Sequence, residues 1–345
     1  MVSIVIVAYN GLEHLKACLP SIARQAYADT EVIIIDNAST DGSPEYVRQE
    51  FPHFHLHCSP VNLGYAAANN LGFQLARGET IAVLNQDTRV DPNWLEPLLA
   101  ALERLPDAGL VTPKILLFDR PDTINTCGNQ ITFSGLTFCR GLEESSRQYT
   151  RLEPVSAVSG AVFLIKRSVL DQVGGFDERF FMYYEETDLS LRAALAGYTC
   201  YYVPESIVYH KYVFRYSPQK AYYQERNRYF ALLKTLRWPT LLALLPSLLA
   251  AEVIAWGYAL LHGPAHLAST FRTYTWLAGN FRQVLQARRQ VQRLRKVGDR
   301  QILRRFDSRL NFTQTAAPWA ARLLDWLVNP LLFLFGKLSQ IVVAW

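Results

Sequence analysis

Two side chains of this sequence could hold a divalent metal ion. Asp87 closes the triplet Asn85-Gln86-Asp87 directly after a short apolar run, and His210 stands at the end of a later one. Carboxylate oxygens suit Mg²⁺, and an imidazole suits Mn²⁺ better than Ca²⁺. Asp87 could instead be a turn residue or helix cap, and His210 an ordinary strand-end residue. Because Asp91 precedes a proline and offers the next helix a better cap, the pattern favours Asp87 as a ligand.

An acidic cluster, Glu185-Glu186-Thr187-Asp188, opens a helical pattern that ends at Gly197. A carboxylate within hydrogen-bond reach of a hydroxyl can remove its proton, so Glu186 and Asp188 are candidates for a general base. The structural alternative is that these acids stabilise the positive N-terminal end of the helix they open. Both roles place the cluster at the start of a helix.

Alternating patterns in the first part of the chain predict the elements that position these residues. Runs of β-branched residues alternate with apolar residues at helical spacing, which predicts a parallel sheet flanked by helices. The predicted strands are Ser3–Ala8, Glu31–Asp36, His53–Cys58 and Thr80–Asn85, and the predicted helices are Leu12–Gln25, Pro44–Glu50 and Ala66–Ala76. Ligands of such sheets bind beyond the carboxyl ends of the strands. The residues there are Tyr9-Asn10, Asp36-Asn37 and Asn85-Gln86-Asp87.

The pattern becomes irregular from about Leu110. Strands are predicted at Thr112–Phe118, Gln130–Phe138, Val155–Lys166 with an interruption at Ser159-Gly160, Tyr201–Val203 and Ile207–Tyr209. The polar stretch 142–153 is predicted to be a mobile loop, and a helix is predicted from Glu186 to Ala196. After Ser217 the composition becomes helical, aromatic and apolar. We therefore predict an α/β domain at 1–217 and a helical region at 218–345.

Charge is unevenly distributed in this chain of 345 residues. Residues 282–309 contain ten Arg or Lys and two Asp, a net charge of +8, so the total of +5 leaves −3 for the rest of the chain. A weakly acidic body with one basic segment indicates a local anionic partner and does not favour nucleic acid. The five cysteines are scattered and odd in number, which argues against a disulfide scaffold and favours a reducing compartment.

The apolar stretch Thr240–His262 is long enough to cross a bilayer and contains one charged residue, Glu252. A single crossing would put the basic segment 282–309 and the first domain on opposite faces, against the positive-inside tendency. A hairpin returning through Pro264–Phe281 avoids this, as do helices that lie in the interface with basic side chains on lipid phosphates. We favour the interfacial arrangement; a buried helical subdomain that dimerises is the alternative.

Short motifs follow one another in a fixed order along the chain. They are VIVAYN at 5–10, IDNASTDGS at 35–43, NLGYAAANN at 62–70, LNQDT at 84–88, GGFDE at 174–178, YEETDL at 184–189 and VYH at 208–210. In this order, over about residues 2–235, the chain resembles the family 2 glycosyltransferases of GT-A fold. The resemblance implies an α/β, Rossmann-like nucleotide-diphospho-sugar transferase domain followed by the α-helical C-terminal region.

The resemblance also implies roles for individual residues. The nucleotide-sugar donor is expected to contact Ala8, Tyr9, Asn10, Asp36, Asn62, Gly64, Asn69, Asn85, Gln86 and Gly160. Asp36 matches the position that meets the nucleobase, whereas Asp41 is expected only to organise its turn. Asp87 and His210 match the positions that bind Mn²⁺ or Mg²⁺. The family more often has Glu-Asp where this chain has Glu185-Glu186, so Glu186 is the first candidate for the base and Asp188 the second.

The expected reaction transfers a sugar, with inversion, from a nucleotide-diphosphate donor to a hydroxyl of a polysaccharide or lipid-linked glycan. The donor is expected to be a UDP- or dTDP-sugar, and its most specific form carries rhamnose. It is expected at the cytoplasmic face of a membrane with an anionic surface, and a homodimer is compatible with the helical region. The rivals are a sugar-1-phosphate nucleotidyltransferase and a non-catalytic glycan-binding or scaffold protein. The first would need an arginine-containing, glycine-rich loop after the first strand, where the chain has Tyr9-Asn10-Gly11-Leu12-Glu13.

Overall fold

The computed structural model describes residues 1–213, 216–312 and 318–345. They form two compact units. The first comprises Met1–Asn129, Cys139–Ala193 and Tyr198–Val213, and the second comprises Gln130–Phe138, Ala194–Gly197 and the described part of Phe214–Trp345. The first unit therefore ends close to the predicted boundary at 217, whereas the second also takes in two short segments from within the predicted first domain.

Twelve strands and fourteen α-helices make up the described residues. The strands are β1 Val2–Ala8, β2 Thr30–Asp36, β3 His55–Cys58, β4 Thr80–Asn85, β5 Thr88–Val90, β6 Ala108–Leu117, β7 Arg120–Thr126, β8 Asn129–Ile131, β9 Thr137–Cys139, β10 Glu153–Val155, β11 Val162–Lys166 and β12 Thr199–His210. The helices of the first half are α1 Leu12–Ala23, α2 Ser43–Glu50, α3 Gly64–Leu75, α4 Leu95–Arg104, α5 Arg167–Val173 and α6 Glu185–Leu195. Those that follow are α7 Pro218–Thr235, α8 Trp238–Ala243, α9 Leu245–His262, α10 Pro264–Gly279, α11 Phe281–Gln292, α12 Asp299–Leu303, α13 Pro318–Leu327 and α14 Asn329–Val342.

The main sheet has the order β10-β12-β6-β11-β4-β1-β2-β3. Strand β1 pairs in parallel with β2 and β4, so that Ala8 lies opposite Asp36 and Val7 lies opposite Asn85. Strand β11 is antiparallel to both β4 and β6, and β12 is parallel to β6. The carboxyl ends of β1, β2, β4 and β12 therefore point to the same edge of the sheet, which brings the predicted site residues together.

The irregular region departs from the prediction in three places. Gln130–Phe138 is not one strand but two short ones, β8 and β9, because a turn at Gly135 (φ +79°) reverses the chain. The predicted strands Tyr201–Val203 and Ile207–Tyr209 form one strand, β12, with an irregular register between them. The polar loop at 142–153 is anchored, since the buried Lys114 donates hydrogen bonds to two of its carbonyl oxygens.

Helix α3 packs closely on β1 at Gly72, where a Cβ atom would lie 2.2 Å from Cγ1 of the buried Val5. We expect Gly72→Ala to lower the free energy of unfolding by about 1–3 kcal/mol, because the added methyl must displace a packed strand. Gly257 in α9 is the matched control, since its Cβ would meet nothing within 4 Å. Gly257→Ala should stabilise the protein by about 0.5–1 kcal/mol. Urea unfolding measures both, and equal shifts would contradict the packing argument.

The helical region breaks the predicted apolar stretch Thr240–His262 at Leu244, between α8 and α9. Among the described residues, one helix, Leu245–His262, is long and apolar enough to cross a bilayer by length and composition. The acidic residue of this helix, Glu252, accepts hydrogen bonds from Tyr229 and Tyr274. It also forms an ion pair with the buried Arg228 at 3.0 Å. This charge is therefore compensated inside the helical unit.

Candidate active site

Asp87 and His210 meet because β12 returns beside the end of β4. The short strand β5 pairs antiparallel with β12, which puts His210 opposite Thr88. The backbone N–H of Lys211 donates to the carbonyl oxygen of Asp87 over 2.9 Å. Nε2 of His210 then lies 3.3 Å from Oδ1 of Asp87. The structure thus brings the two predicted metal ligands side by side.

Asn125 determines which nitrogen of His210 faces Asp87. The Nδ1–H of His210 donates to Oδ1 of Asn125 over 2.8 Å, because an amide oxygen can only accept. Nε2 is then the nitrogen that faces Asp87: it pairs with the carboxylate when protonated and offers a lone pair to a metal ion when neutral. Burial acts to raise the pKa of Asp87, but the neighbouring His210 and, more weakly, His14 lower it overall. The carboxylate is therefore ionised at neutral pH.

This pair fits a divalent cation as a two-residue ligand set. Oδ1 of Asp87 is buried and accepts no hydrogen bond within the described residues, although it faces a ring nitrogen. In residues 1–213, 216–312 and 318–345, no three His, Cys, Asp or Glu side chains are close enough to form a complete metal site. Further ligands would have to come from water or from oxygens of a bound diphosphate, as is usual for Mg²⁺.

Gln86 connects the end of β4 to the end of β1. Its amide oxygen accepts from the backbone N–H of Tyr9 at 3.0 Å, and its Nε2 donates to the carbonyl oxygen of the same residue at 3.2 Å. Gly11 leaves room for this side chain, because a Cβ there would lie 2.2 Å from Oε1 of Gln86. Ala8 is buried directly before Tyr9, whose ring is exposed. An exposed ring next to these fixed strand ends could lie against a flat ligand.

Asp36 and Asn10 lie on the two sides of the loop that follows β2. Oδ2 of Asp36 accepts from the backbone N–H of Ser39 at 3.2 Å, whereas its Oδ1 is buried and accepts no hydrogen bond within the described residues. Oδ1 of Asn10 accepts from the backbone N–H of Thr40 at 2.9 Å. The carboxylate of Asp41 accepts from the backbone N–H of Leu12 and from Ser43, so it holds its own turn and the start of α1. Asp36 thus retains an acceptor for a ligand.

The loop before α3 is fixed by two asparagines. Oδ1 of Asn37 accepts from the backbone N–H of Leu63, and Nδ2 of Asn37 donates to Oδ1 of Asn62 over 3.0 Å. Gly64 takes a positive φ of +78°, and a Cβ there would lie 2.5 Å from Cδ2 of Phe181. Asn69 is buried in α3, with its Oδ1 accepting no hydrogen bond in the described part of the chain. This loop therefore presents a fixed, close-packed backbone.

Tyr65 links the end of β4 to Gly160, which adjoins the acidic cluster. Its hydroxyl lies 2.9 Å from Oδ1 of Asn85 and 2.8 Å from the carbonyl oxygen of Gly160. Burial raises the pKa of Tyr65 well above its ordinary value, and the nearby acids Glu185 and Glu186 add to the effect. The phenol therefore stays protonated and can donate to one of its two acceptors.

Glu186 lies next to Gly160 on the other side of this bridge. A Cβ at Gly160 would be 3.2 Å from Oε2 of Glu186, so glycine lets the backbone approach the carboxylate. Oε1 of Glu186 accepts from Nδ2 of Asn129 at 3.2 Å and from the hydroxyl of Thr187 at 3.3 Å. Burial raises the pKa of Glu186 above its ordinary value. Oε2 remains as a proton acceptor with a pKa moved towards neutrality, which suits a general base.

The other acids of the cluster are placed differently. Asp188 is fully buried and forms an ion pair with Arg192 at 2.8 Å. Arg192 also donates to the carbonyl oxygens of Val173, Gly174 and Gly175, so the pair ties α6 to the end of α5. Burial raises the pKa of Glu185 well above its ordinary value, and Glu186 and Asp188 add to it. These placements favour Glu186 over Asp188 as the base.

Three polar side chains of this site escaped the sequence analysis: Tyr65, Asn125 and Asn129. Tyr65 lies inside the motif at 62–70, so the motif could have pointed to it, although a tyrosine by itself indicates no particular role. Asn125 and Asn129 lie in the irregular region around β7 and β8, where no periodic pattern marks an inward-facing polar residue. Asn125 and Asn129 become recognisable only through the candidate site residues that they contact, His210 and Glu186.

Comparison with known proteins assigns the chain to a family. The model of the family described as "Glycosyl transferase family 2" matches residues 3–174. The N-acetylglucosaminyl-diphospho-decaprenol L-rhamnosyltransferase of Mycobacterium tuberculosis is 33% identical over 231 residues, which are 60% of this chain and 75% of that protein. The chain belongs to glycosyl transferase family 2. It is therefore a glycosyltransferase, and the resemblance found in the sequence is confirmed.

Solved structures show that this family 2 transferase has the predicted fold. S. aureus TarS 1–349 in complex with UDP-GlcNAc matches with a TM-score of 0.57 at 15% identity, over 97% of this chain and 90% of that one. GalNAc-T7 with UDP, GalNAc and Mn²⁺ matches with a TM-score of 0.57 at 20% identity, over 67% of this chain but 47% of that one. The prediction of an α/β GT-A fold followed by an α-helical region is confirmed.

Proposed function

We propose that this family 2 transferase moves a sugar with inversion from a nucleotide-diphosphate donor to a hydroxyl of a polysaccharide or lipid-linked glycan, with a divalent metal. One arrangement supports the proposal above all: the candidate metal ligands and the candidate base lie in the same unit and are linked through Tyr65. The Asp87–His210 pair follows Asn85, Tyr65 links Asn85 to Gly160, and Gly160 adjoins Glu186. The hydroxyl of Tyr65 thus bridges the strand end that leads to the candidate metal ligands and the glycine that adjoins the candidate base.

In the proposed reaction, Oε2 of Glu186 takes the proton of the acceptor hydroxyl. At the same time the oxygen of that hydroxyl forms a bond to the anomeric carbon of the donor sugar. The bond from that carbon to the diphosphate breaks on the opposite face, and the nucleoside diphosphate leaves with the electron pair. Asn129 orients Glu186 through its hydrogen bond of 3.2 Å. One displacement with base and leaving group on opposite faces inverts the anomeric centre, and no sugar is bound covalently to the protein.

Asp87 and His210 would hold the metal, which we take to be Mn²⁺ or Mg²⁺. When bound, such a cation neutralises charge on the leaving diphosphate. Support comes from the buried, unbonded Oδ1 of Asp87 and from the imidazole lone pair that Asn125 sets towards it. The structural neighbour with UDP, GalNAc and Mn²⁺ shares the fold and agrees with a divalent ion.

The donor is proposed to lie along the strand ends, with its nucleobase at Asp36, Ala8 and Tyr9 and its diphosphate and sugar near Asn10, Asn62, Gly64, Asn69, Asn85, Gln86 and Gly160. A rhamnosyl donor linked to dTDP or UDP is the most specific form of the proposal. It is supported by the 33% identical relative, an N-acetylglucosaminyl-diphospho-decaprenol L-rhamnosyltransferase. A transfer assay with Mn²⁺ and a panel of dTDP-, UDP- and GDP-sugars tests it, and stabilisation by none of them in a thermal-shift assay would count against it.

Asp36→Asn is expected to raise the KM for the donor about tenfold with little change in kcat, because a base N–H then donates to a neutral amide oxygen and no longer to a charged carboxylate. Calorimetry with the free nucleoside diphosphate should show the same loss of affinity. Asp41→Asn is the matched control in the same loop, since Asp41 holds the turn. It should lower the thermal midpoint and leave nucleotide affinity unchanged. Equal nucleotide affinity in the parent and in Asp36→Asn would remove the base-binding role.

The membrane is proposed as the surface on which the acceptor is met, at its cytoplasmic face, where nucleotide sugars are made. The basic segment 282–309 supports an anionic surface, although not all of it is available. Arg288 donates to carbonyl oxygens of Leu233 and Leu236, and Arg295 pairs with Asp299, so both serve the helical unit itself. Fractionation tests the proposal: release by high salt supports surface binding, detergent dependence supports insertion, and a wholly soluble protein contradicts both. Homodimerisation of the helical region is the alternative.

A further inference from the structure

Exposed apolar side chains are concentrated in the helical part of the chain. Of the 24 large hydrophobic side chains that are exposed in the described residues, five lie in residues 1–213 and nineteen lie in residues 216–312 and 318–345. Soluble monomers rarely leave so many large apolar groups in one region in water. The helical unit therefore has a surface that something apolar covers.

Helix α14 shows how this surface is organised. Leu331, Leu334, Leu338 and Ile341 are exposed at spacings of three and four residues, so they form one stripe along the helix. On the opposite side Leu332, Gly336 and Ser339 are buried. In α13 the same spacing puts Trp319, Leu323 and Trp326 on one exposed face, with both tryptophans about three-quarters exposed. Each helix thus exposes an apolar stripe away from its buried face, with the exposed Arg322 of α13 and Lys337 of α14 beside the stripes.

Helix α9 belongs to the same assembly. Ala250 and Ile254 of α9 pack on a small core formed by Leu310, Phe312, Ala321 of α13 and Leu332 of α14. The outer face of α9 exposes Leu245, Leu249, Val253 and Leu260, which are four, four and seven residues apart. Three neighbouring helices therefore share one core and each carries an apolar stripe away from it. Glu252 does not interrupt the stripe, because Arg228 compensates its charge inside the unit.

The same helical unit exposes basic residues on α11 and at the residue that follows it, Arg293. Arg282, Arg289 and Arg293 are exposed, seven and four residues apart, whereas Val284, Ala287 and Val291 are buried. The exposed face of α11 is therefore cationic and its inner face apolar. Anionic lipid headgroups complement such a face at about 1 kcal/mol per basic residue. A second copy of this chain would bring the same positive charge and be repelled.

We propose that the apolar stripes of α9, α13 and α14 enter the outer part of one lipid leaflet, with the arginines of α11 on anionic headgroups. This rests on the membrane partner in the proposed function and names the surface that meets it. The lengths of α13 and α14 favour insertion without crossing, and α9, the one described helix long enough to cross, packs on the core that it shares with them. Helices of 10 and 14 residues are about 15 and 21 Å long, below the roughly 30 Å of a hydrocarbon core. Exposed indoles at both ends of a stripe are typical of the membrane interface.

Vesicle flotation with the full chain, without any donor, tests the proposal. The parent should float with phosphatidylcholine vesicles in high salt, and phosphatidylglycerol should increase its binding at low salt only. The variant Leu334→Asn, Leu338→Asn, Ile341→Asn removes apolar surface without changing charge. Because the three side chains are exposed, we expect it to fold and to bind vesicles at least about 100-fold more weakly. Arg289→Gln with Arg293→Gln should lose only the increase that phosphatidylglycerol gives.

Controls separate this proposal from its rivals. Val61→Asn with Leu75→Asn removes exposed apolar groups from the first unit and should float like the parent. Turnover of the nucleotide sugar in the absence of vesicles should be equal in all these variants, so loss of transferase activity and loss of docking are read separately. The proposal is overturned if the parent does not float, or if the α14 variant floats as well as the parent. It is also overturned if the parent is a dimer that the α14 variant dissociates while vesicle binding is unchanged.

Discussion

Asp87→Ala is expected to lower kcat about 1,000-fold with saturating donor and Mn²⁺. Metal stabilisation of a leaving group is worth several kcal/mol, and each 1.4 kcal/mol is a factor of ten. Asp87 supplies the only carboxylate of the pair, and its Oδ1 is already freed of other hydrogen bonds. The same variant should bind Mn²⁺ more weakly in the presence of the nucleoside diphosphate, as read by electron paramagnetic resonance.

Graded variants at the same place distinguish ligation from folding. His210→Ala should weaken Mn²⁺ binding less than Asp87→Ala, because a carboxylate is the stronger ligand of a hard cation. Asn125→Ala should weaken it by about 10- to 100-fold through loss of the orienting hydrogen bond. Asp91→Ala is the matched control, since Asp91 accepts from the backbone N–H of Asn93 in the turn before α4. A parent rate in Asp87→Ala would show that the ion, if used, is held elsewhere.

The sequence predicted the edge of the sheet well because a parallel sheet places its chemistry by a simple rule. The runs that end at Ala8, Asp36 and Asn85 became β1, β2 and β4, and their ends adjoin as predicted. The sequence did not predict how β12 pairs with its neighbours. His210 lies beside Asp87 because β5 pairs with β12; β5 was not predicted, and β12 was predicted only as two separate short strands.

Polar contacts inside the site were the least predictable part. Asn125 and Asn129 matter through single hydrogen bonds to His210 and Glu186, and a single contact leaves no periodic trace in the sequence. The basic segment shows the converse. Residues 282–309 contain ten basic residues, but Arg288 and Arg295 bind backbone carbonyl oxygens and Asp299 within the helical unit. Composition counts charges, whereas the fold decides which of them face the solvent.

Glu186→Gln is expected to lower kcat by about 100- to 10,000-fold, the range that a positioned general base contributes. The amide has nearly the same shape and can keep the contacts of Oε1 with Asn129 and Thr187, so the fold and the donor KM should change little. Glu186→Asp restores the residue type more common in the family and should recover much of the rate. A Glu186→Gln enzyme as fast as the parent would exclude Glu186 as the base.

Asp188→Asn is the matched test of the second candidate. Asp188 is buried against Arg192, so its loss leaves a buried charge with only backbone carbonyl partners and should lower the thermal midpoint strongly. The folded fraction should nevertheless transfer sugar at close to the parent rate. If Asp188→Asn instead folds normally and loses turnover, the roles of the two acids are reversed.

The pH profile adds a readout that a purely structural role of Glu186 would not move. A base acts in its deprotonated form, so kcat/KM should fall as the pH drops through the pKa of Glu186. Burial raises that pKa, which places this acidic limb above the pH at which an exposed glutamate titrates. Asn129→Ala removes a hydrogen bond that favours the charged form and should move the limb to still higher pH. Glu186→Gln should lose the limb, because no group remains there to titrate.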